Sequence, residues 1–288
     1  MIISVASGKG GTGKTTVATS LALAQKRDIQ FIDCDVEEPN AHIFLRPEIT
    51  RAEKIYLSVP QVNPELCDLC GQCQEACAFN AIAVTSKEVL LFPELCHSCG
   101  ACQLLCPRQA IVEVPREIGL LEEGILRPNA GHEIAFVHGR LNPKEIATPY
   151  LIRQVKARMD TNRPVIMDAP PGTTCPVVQT IKDSDYCLLV TEPTPFGFHD
   201  LKLIIALLEK IRIPHGVVIN RCDMGDHAVE SFCAEKNIPV LMRIPFSLDI
   251  ARMYARGIPL IEADRKFRQA FQDVFEEIEQ AVPGRDPA

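Results

Sequence analysis

A glycine-rich segment near the start of the chain lies between a short apolar run, residues 2–6, and a helix-compatible pattern. The segment has the form Gly8-x-x-x-x-Gly13-Lys14-Thr15. Glycines let such a loop curl until its backbone N–H groups converge on phosphate oxygens, and the helix N-terminus adds partial positive charge. The order strand, loop, helix is the context that this pattern requires. We therefore predict a nucleotide-binding α/β domain, with Lys14 on the β- and γ-phosphates and the Thr15 hydroxyl on Mg²⁺.

Short apolar runs recur along the chain and alternate with helical patterns. Each run is bounded by Pro, Gly or charged residues, as expected of strands buried on both faces. The alternation predicts an α/β fold, namely a doubly wound, mostly parallel sheet. The predicted strands are 29–33, 164–168, 186–191, 216–220 and 240–244, and the helices are about 144–159, 199–212, 226–236 and 262–281. The last helix is predicted to bury Phe267, Phe271, Val274, Phe275 and Ile278.

Eight of the 13 cysteines form two runs of identical spacing, Cys-x2-Cys-x2-Cys-x3-Cys, between residues 67 and 106. This is the spacing of bacterial two-cluster ferredoxins, in which the fourth cysteine of each run ligates the other cluster. We predict two 4Fe–4S clusters. One is held by Cys67, Cys70, Cys73 and Cys106, and the other by Cys77, Cys96, Cys99 and Cys102. Ala78 stands where a proline usually follows the first run.

Zinc and disulfides are the alternatives for these cysteines. Zinc sites usually contain two Cys-x2-Cys pairs without fixed third and fourth spacings. Disulfides accompany secretion, and the first residues lack the basic region of a signal peptide. The cysteine segment interrupts the α/β alternation, so we predict a small α+β ferredoxin-like insertion over 58–114. The P-loop ATPase domain would comprise 1–57 and 115–288, with the sheet resuming near 134–138.

The charge balance bears on the class of partner. The chain has 30 basic and 37 acidic residues, a formal net charge of −7, and no basic run. We therefore expect no nucleic-acid partner held by phosphate contacts. No apolar stretch reaches the roughly 20 residues needed to span a bilayer, so we expect no membrane insertion and a cytoplasmic protein. An insertion carrying two clusters would be strongly negative and suited to a positively charged partner.

A second lysine in the loop, Lys9, indicates a particular class of phosphate loop. The run from Lys9 to Thr15 resembles the deviant Walker A loop of the MinD/ParA/Mrp/nitrogenase-iron-protein class of P-loop ATPases. In that class the first lysine reaches across a dimer interface to the partner's nucleotide, so the resemblance implies an ATP-bridged homodimer. The implied nucleotide contacts are Gly8, Lys9, Gly10, Gly11, Thr12, Gly13, Lys14, Thr15 and Thr16.

Three further segments resemble the same class. Asp33-Cys34-Asp35 looks like its switch I, in which the residue matching Asp35 orients or activates the attacking water and the one matching Asp33 helps hold hydrated Mg²⁺. Asp168 looks like the Walker B aspartate, which binds Mg²⁺ through water, and the Gly172 N–H of switch II would sense the γ-phosphate. Asn220 resembles the asparagine that hydrogen-bonds adenine.

Other features leave alternatives open. The segment 191–195 resembles the class, but no role follows from its residues. Cys175 lies seven residues after Asp168, and in the nitrogenase iron protein a cysteine close after switch II ligates a cluster that bridges the dimer. Metal or redox work and simple packing both remain open for Cys175. The cysteines predicted to be core thiols are Cys34, Cys187, Cys222 and Cys233.

These features predict a homodimeric Mg-ATPase whose nucleotide state acts on a two-cluster module. Its role would be low-potential electron transfer or metal-cofactor and iron–sulfur assembly, with a redox partner or a client protein that the sequence does not name. One alternative is a MinD- or ParA-like positioning ATPase with structural clusters. The other is a scaffold that transfers an assembled cluster.

Overall fold

The computed structural model describes residues 1–129 and 131–282. The strands are β1 Ile2–Ala6, β2 Ile29–Asp33, β3 Glu48–Val62, β4 Ile82–Val84, β5 Val89–Leu91, β6 Ile111–Asn129, β7 His132–Leu141, β8 Val165–Asp168, β9 Tyr186–Thr191, β10 His215–Asn220 and β11 Val240–Ile244. The helices are α1 Lys14–Ala24, α2 Ala41–Leu45, α3 Gln72–Glu75, α4 Ala101–Leu104, α5 Thr148–Lys156, α6 Cys175–Ile181, α7 Pro195–Ile211, α8 Ala228–Glu235, α9 Leu248–Tyr254, α10 Leu260–Ala263 and α11 Arg265–Ala281. A 3₁₀ turn spans Pro93–Leu95.

Nine strands of the described residues form one sheet, in the order β11-β10-β9-β1-β8-β2-β7-β6-β3. The pairs from β11 through β7 are parallel. Parallel strands meet with their carboxyl ends at one edge, and this places the ends of β1, β2 and β8 side by side. The mostly parallel α/β sheet is therefore confirmed.

The core lies on both faces of this sheet. One face is covered by α1 and α11, with Leu21 and Phe275 among the fully buried side chains. The other is covered by α6, α7 and α8, with Ile204 and Val229 in the core. The five apolar residues predicted to line one face of the last helix are all buried, so that prediction is confirmed.

The predicted strands agree with the observed ones to within one residue, while the helices differ more. Helix α7 begins at Pro195, earlier than predicted, because Thr194 caps it by accepting the Gly197 N–H at 3.0 Å. The helix predicted over 262–281 is divided into α10 and α11. Asp264 has an extended backbone there, and its carboxylate accepts the Lys266 N–H at 3.0 Å as the N-cap of α11.

The sequence analysis missed the long strands β3 and β6. In β3, Ile55, Leu57 and Val59 are buried while Tyr56 and Ser58 are exposed. A strand buried on one face alternates polar and apolar residues. This pattern differs from the continuous apolar runs by which the other strands were predicted.

The chain divides into two compact units. The first comprises Met1–Ala52, Leu121–Arg140 and Pro149–Ala288, and the second comprises Glu53–Leu120 and Leu141–Thr148. The predicted insertion, 58–114, lies within the second unit. Strands β3 and β6 each contain residues of both units. The second unit, which we call the cysteine unit, contains a two-stranded antiparallel sheet, β4–β5, and a small core around Cys73, Ile82 and Ile111.

No helix in residues 1–129 and 131–282 combines the length and apolar character needed to cross a membrane.

The packing of α11 gives a test of the fold. Phe271 is fully buried in the core to which α1 and α11 both contribute, so Phe271→Ala should lower the free energy of unfolding by about 3–5 kcal/mol. The matched control is Phe196→Ala, because Phe196 has 79% of its surface exposed and should change stability little. Urea denaturation followed by circular dichroism measures both. Equal effects of the two substitutions would contradict the assigned core.

Candidate functional site

The phosphate loop connects β1 to α1 and requires glycine at two positions. Gly13 precedes α1 with a φ of 89°, a left-handed conformation that glycine adopts without strain. A Cβ on Gly8 would lie 2.4 Å from the Asp200 carbonyl oxygen, so no side chain fits there. These two glycines hold the loop close to the sheet edge and turn it into the helix.

The carboxyl ends of β1, β2 and β8 bring four predicted site residues together. The Lys14 ammonium is buried, donates a hydrogen bond to Asp168 and lies 3.9 Å from Asp35 Oδ2. The Thr15 hydroxyl donates to the other Asp168 oxygen at 2.6 Å. Burial acts to lower the pKa of Lys14, but the charges of Asp168 and Asp35 outweigh it and the pKa is raised. The lysine therefore stays charged, and beside it lie a hydroxyl and carboxylates of the kind that Mg²⁺ prefers.

Asp33 and Asp35 differ in their surroundings. Asp33 is fully buried and accepts the N–H groups of Asp35 at 3.0 Å and Ala41 at 3.1 Å, so it fixes the turn after β2. Burial and the charge of Asp168 raise the pKa of Asp33. Burial raises the pKa of Asp35 to about 6, against the opposing effect of Lys14. Asp35 therefore retains access to a carboxylate near neutral pH, as a group that orients water must.

The switch II glycine contacts the phosphate loop directly. The Gly172 N–H donates to the Ser7 carbonyl oxygen at 2.9 Å, and the Cys34 N–H donates to the Asp168 carbonyl oxygen at 2.9 Å. The loop and the two predicted switches are thus joined by backbone hydrogen bonds. For the predicted contact of Gly172 with a γ-phosphate, its bond to Ser7 must break.

The segment 191–195, for which the sequence suggested no role, holds the second lysine of the loop. Glu192 is buried, and its carboxylate lies 3.4 Å from Lys9 Nζ and 2.6 Å from an Arg221 nitrogen. Thr194 caps α7. Lys9, predicted to act across a dimer, is therefore paired within its own chain to a carboxylate that is positioned by β9.

Asn220 lies at the end of β10, beside the phosphate loop. Its Nδ2 donates to the Thr12 carbonyl oxygen at 2.8 Å, and a Cβ on Gly13 would lie 2.5 Å from the same nitrogen. Asn220 also lines a cavity of about 360 Å³ next to the loop. Its other lining residues are Gly11, Gly13, Thr16, Val17, Arg221, Ile244, Pro245, Phe246, Ser247, Ile250, Ala251, Tyr254 and Leu260.

The sequence analysis missed the apolar part of this cavity. It is formed by Ile244, the last residue of β11, by Pro245 and Phe246, and by one side of α9. The signal was available, because β11 is parallel to β10 and its carboxyl end therefore lies at the same edge as the phosphate loop. A cavity with an apolar lining and one amide at its edge has the character of a site for a flat heteroaromatic base.

The eight clustered cysteines line two cavities within the cysteine unit. The first cysteine cavity is lined by Cys67, Cys70, Cys73 and Cys106. The second cysteine cavity is lined by Cys77, Cys96, Cys99 and Cys102. These are the two sets into which the spacing rule divides the cysteines. No group of three or more His, Cys, Asp or Glu side chains in the described parts of the chain is gathered closely enough to hold one metal ion.

The backbone around the two cavities repeats with the sequence. Leu69 and Ser98, each preceding the second cysteine of its run, have φ values of 59° and 53°. Gly71 and Gly100 have φ values of 83° and 71°. Such left-handed positions cost a leucine roughly 1–2 kcal/mol, so a bound group or surrounding contacts must stabilise them. The matched conformations show that the two runs fold in the same way.

Backbone donors point at the sulfurs. The Ala81 N–H donates to Cys77 Sγ at 3.3 Å, and the Ala110 N–H donates to Cys106 Sγ at the same distance. Burial raises the pKa of Cys102 to about 11, so a positively charged iron centre would be needed to keep such thiolates deprotonated. Four thiols around a small cavity with N–H donors to sulfur fit a 4Fe–4S cluster.

The remaining cysteines divide by exposure. Cys34, Cys187 and Cys233 are buried, as predicted, while Cys222 is half-buried. Cys175 is exposed at the first residue of α6, so the packing role considered for it is not supported. Burial and the charge of Asp33 raise the pKa of the Cys34 thiol to about 12, which keeps this thiol inert.

The raised pKa of Asp35 gives a pH-dependent prediction. Its folded-state value of about 6 exceeds the ordinary 3.8, so protonated Asp35 favours folding; this stabilisation is complete below about pH 4 and disappears as the pH rises through 6. Relative to Asp35→Asn, the wild-type protein should lose roughly 1–3 kcal/mol of unfolding free energy between about pH 4 and 7. Urea denaturation without nucleotide measures this difference. Asp249→Asn is the control, since Asp249 is 84% exposed. A pH-independent difference would contradict the assigned environment of Asp35.

Comparison with known proteins places this geometry in a family. Residues 3–260 match the CobQ/CobB/MinD/ParA nucleotide binding domain. An uncharacterized protein of Methanocaldococcus jannaschii is 30% identical over 289 residues, which cover 98% of each chain. An iron-sulfur cluster carrier protein of Pyrococcus abyssi is 25% identical over 299 residues, covering 96% of this chain and 84% of its own.

Among solved structures, the septum site-determining protein MinD of Pyrococcus horikoshii, complexed with Mg-ADP, superimposes with a TM-score of 0.56 at 21% identity. The superposition covers 97% of this chain and 96% of that one. This likeness shows a shared α/β fold. Together with the family match over residues 3–260, it establishes that the chain belongs to the CobQ/CobB/MinD/ParA family of P-loop nucleotide-binding domains.

Proposed function

We propose that the chain is an Mg-ATPase whose nucleotide state controls a module of two 4Fe–4S clusters. Its role is low-potential electron transfer or the assembly of metal cofactors and iron–sulfur clusters. The observation that carries the proposal is the presence, in one chain, of a glycine loop whose Thr15 hydroxyl contacts Asp168 and of two cavities that are each lined by four cysteines.

The ATP chemistry is assigned to residues at the carboxyl edge of the sheet. Lys14 neutralises the β- and γ-phosphates, and Thr15 with Asp168 holds hydrated Mg²⁺, helped by Asp33. Asp35 orients a water whose oxygen attacks the γ-phosphorus. The bond from that phosphorus to the bridging oxygen breaks and its electron pair stays on ADP. One proton of the water remains as the hydroxyl of the phosphate, the other passes to a phosphate oxygen, and ADP and phosphate leave. The cavity beside Asn220 takes the base.

The proposed ATP-bridged homodimer depends on Lys9. Its ammonium is partly exposed and lies 3.4 Å from Glu192, a distance at which a charge pair is held loosely. Glu192 keeps a second cation, Arg221, so it remains paired when Lys9 leaves. Lys9 can therefore move to the phosphates of a partner's nucleotide without leaving a buried carboxylate uncompensated.

The cysteine unit is proposed to hold the clusters in its two cavities. Each cluster, when bound, would supply one-electron storage at low potential. The N–H donors of Ala81 and Ala110 orient one sulfur at each cavity, and the left-handed loop residues wrap the remaining sulfurs around it. The cluster assignment is further supported by the relatives that are named iron-sulfur cluster carrier proteins.

Nucleotide state and clusters are proposed to communicate along the chain. The predicted switch I at Asp35 is followed by α2 and then by β3, whose residues from Glu53 onward belong to the cysteine unit. Only α2 and a short connection separate the switch from β3. A change at the phosphate site therefore has a short covalent route to the cluster module.

A carrier that hands a cluster to an apoprotein is the second candidate. It is favoured by the names of the relatives and by the exposed Cys175, a thiol outside the two cysteine cavities. This role requires labile iron beyond the eight atoms of two 4Fe–4S clusters. Iron and sulfide analysis of freshly purified protein separates the two candidates.

Lys14→Ala tests whether the two sites are separable. Removal of the buried cation should lower ATP affinity at least about a hundredfold, because two or more phosphate contacts are lost. Iron content should stay at the wild-type level, because the cysteines belong to the other compact unit. Isothermal calorimetry and iron analysis on anaerobically purified protein measure the two quantities. Loss of iron along with ATP binding would show that the sites are not independent.

Coupling is tested by electron paramagnetic resonance during a redox titration. We expect MgATP to shift the cluster potentials or line shapes in the wild-type protein. In Lys14→Ala, the potentials and line shapes should be the same with and without MgATP. The same spectra with and without MgATP, at full iron content, would contradict nucleotide control and leave the cysteine unit as a passive electron relay.

A further inference from the structure

The two cysteine cavities are built from matched positions of an internal repeat, so each serves as a reference for the other. Cys67 matches Cys96, and the same offset of 29 residues relates the other cysteines of the two runs. The matched φ values described above show that the backbones agree as well. Any difference between the cavities therefore comes from the side chains at the matched positions around them.

At one pair of matched positions, an ion pair in the first cavity is replaced by a ring stack in the second. Asp68 and Arg108 line the first cavity, and Arg108 Nε donates to Asp68 Oδ2 at 2.8 Å. The matching residues are His97 and Phe79, which line the second cavity with their rings stacked at 3.7 Å. The ion pair contributes no net charge at the first cavity, since its two charges cancel.

At another matched position, a carboxylate replaces an apolar side chain. Val84 lines the first cavity, and its counterpart Glu113 lines the second. The carboxylate lies over the cysteine loop, because a Cβ on Gly100 would be 3.6 Å from Glu113 Oε1. No cation pairs with Glu113 among residues 1–129 and 131–282. The second cavity therefore carries one uncompensated negative charge that the first lacks.

From this difference we infer that Glu113 makes the cluster of the second cysteine cavity the harder of the two to reduce. The inference rests on the proposed function, since it concerns clusters in these cavities. A fixed negative charge raises the energy of adding an electron nearby, and net charge is one of the main determinants of cluster potential. With both clusters bound, a single electron supplied by an external reductant such as titanium(III) would reside at equilibrium in the first cavity, and transfer from the second cavity to the first would be downhill.

Hydrogen bonds to sulfur raise the potential of a cluster, whereas a carboxylate lowers it, and the hydrogen-bond effect is the weaker one here. Ser98 N–H donates to Cys96 Sγ at 3.4 Å, a bond found in the second cavity without a counterpart at Cys67. The Ala81 and Ala110 donors are matched and cancel. One long N–H···S bond is a dipole, whereas Glu113, which lines the same cavity, carries a full charge, so the charge decides the order.

The experiment removes the charge without changing the shape of the side chain. Glu113→Gln should move the lower-potential wave upward in a redox titration with titanium(III) citrate. The expected change is at least about fivefold in the ratio of reduced to oxidised cluster at fixed potential, or about 40 mV for one electron. Glu94→Gln removes an exposed carboxylate of the same unit that lines neither cavity, and both waves should stay in place.

The reciprocal substitution identifies the cavities. Val84→Glu places a carboxylate at the matched position of the first cavity and should lower the higher-potential wave, while Val84→Gln should not. Spin coupling in the resonance spectrum reports whether the two potentials differ, because a single-cluster signal appears at intermediate potentials only when they are separated.

Iron content separates failure of this inference from failure of the proposed function. If the wild-type protein shows no 4Fe–4S absorption and does not contain about eight irons, both this inference and the proposed function are overturned. Full iron with no shift in Glu113→Gln, or with equal shifts in Glu113→Gln and Glu94→Gln, overturns the inference alone. A shift of the lower wave in Glu113→Gln, with both waves unmoved in Glu94→Gln, supports it.

Discussion

The buried ammonium of Lys14 is the charge around which the phosphate site is organised. An isolated cation in the interior would be costly, and Lys14 is tolerated because Asp168 and Asp35 lie beside it. Asp168 is the last residue of β8 and Asp35 follows β2, so their proximity requires that β2 and β8 be adjacent and parallel. The glycines of the loop then determine how closely the backbone approaches this group. The fold, the loop and the charges thus depend on one another.

The cysteine unit is organised by a different constraint, namely duplication. Two runs of the same spacing adopt the same left-handed turns, and each contributes three sulfurs to one cavity and one sulfur to the other. With so small an apolar core around Cys73, Ile82 and Ile111, metal binding would add stability that packing alone supplies only weakly. The duplication makes the cavities similar, and the few residues that differ give them different electrostatic environments.

The phosphate site and the second cysteine cavity differ in whether their charged side chains are paired. At the phosphate site, carboxylates keep a lysine charged until phosphates compete for it. Glu192 pairs with Lys9 and also with Arg221. At the second cysteine cavity, Glu113 pairs with no cation in the described parts of the chain. Lysines that are kept charged by carboxylates can bind an anion such as a phosphate. We propose that the unpaired Glu113 carboxylate lowers the reduction potential of a cluster bound beside it.

Local spacing and periodicity in the sequence were enough to predict three features: the strands buried on both faces, the apolar face of α11 and the division of the cysteines into two sets. The sequence analysis missed β3, in which buried and exposed residues alternate over 55–59, and also β6. It missed the break at Asp264 as well, where a side-chain cap overrides the helical pattern. Which strand ends meet could be seen only in the folded chain. Glu192 lies beside Lys9 and residues 244–246 lie beside Asn220 because of the order of strands in the sheet, and Glu113 lies over Gly100 because of the fold of the cysteine unit.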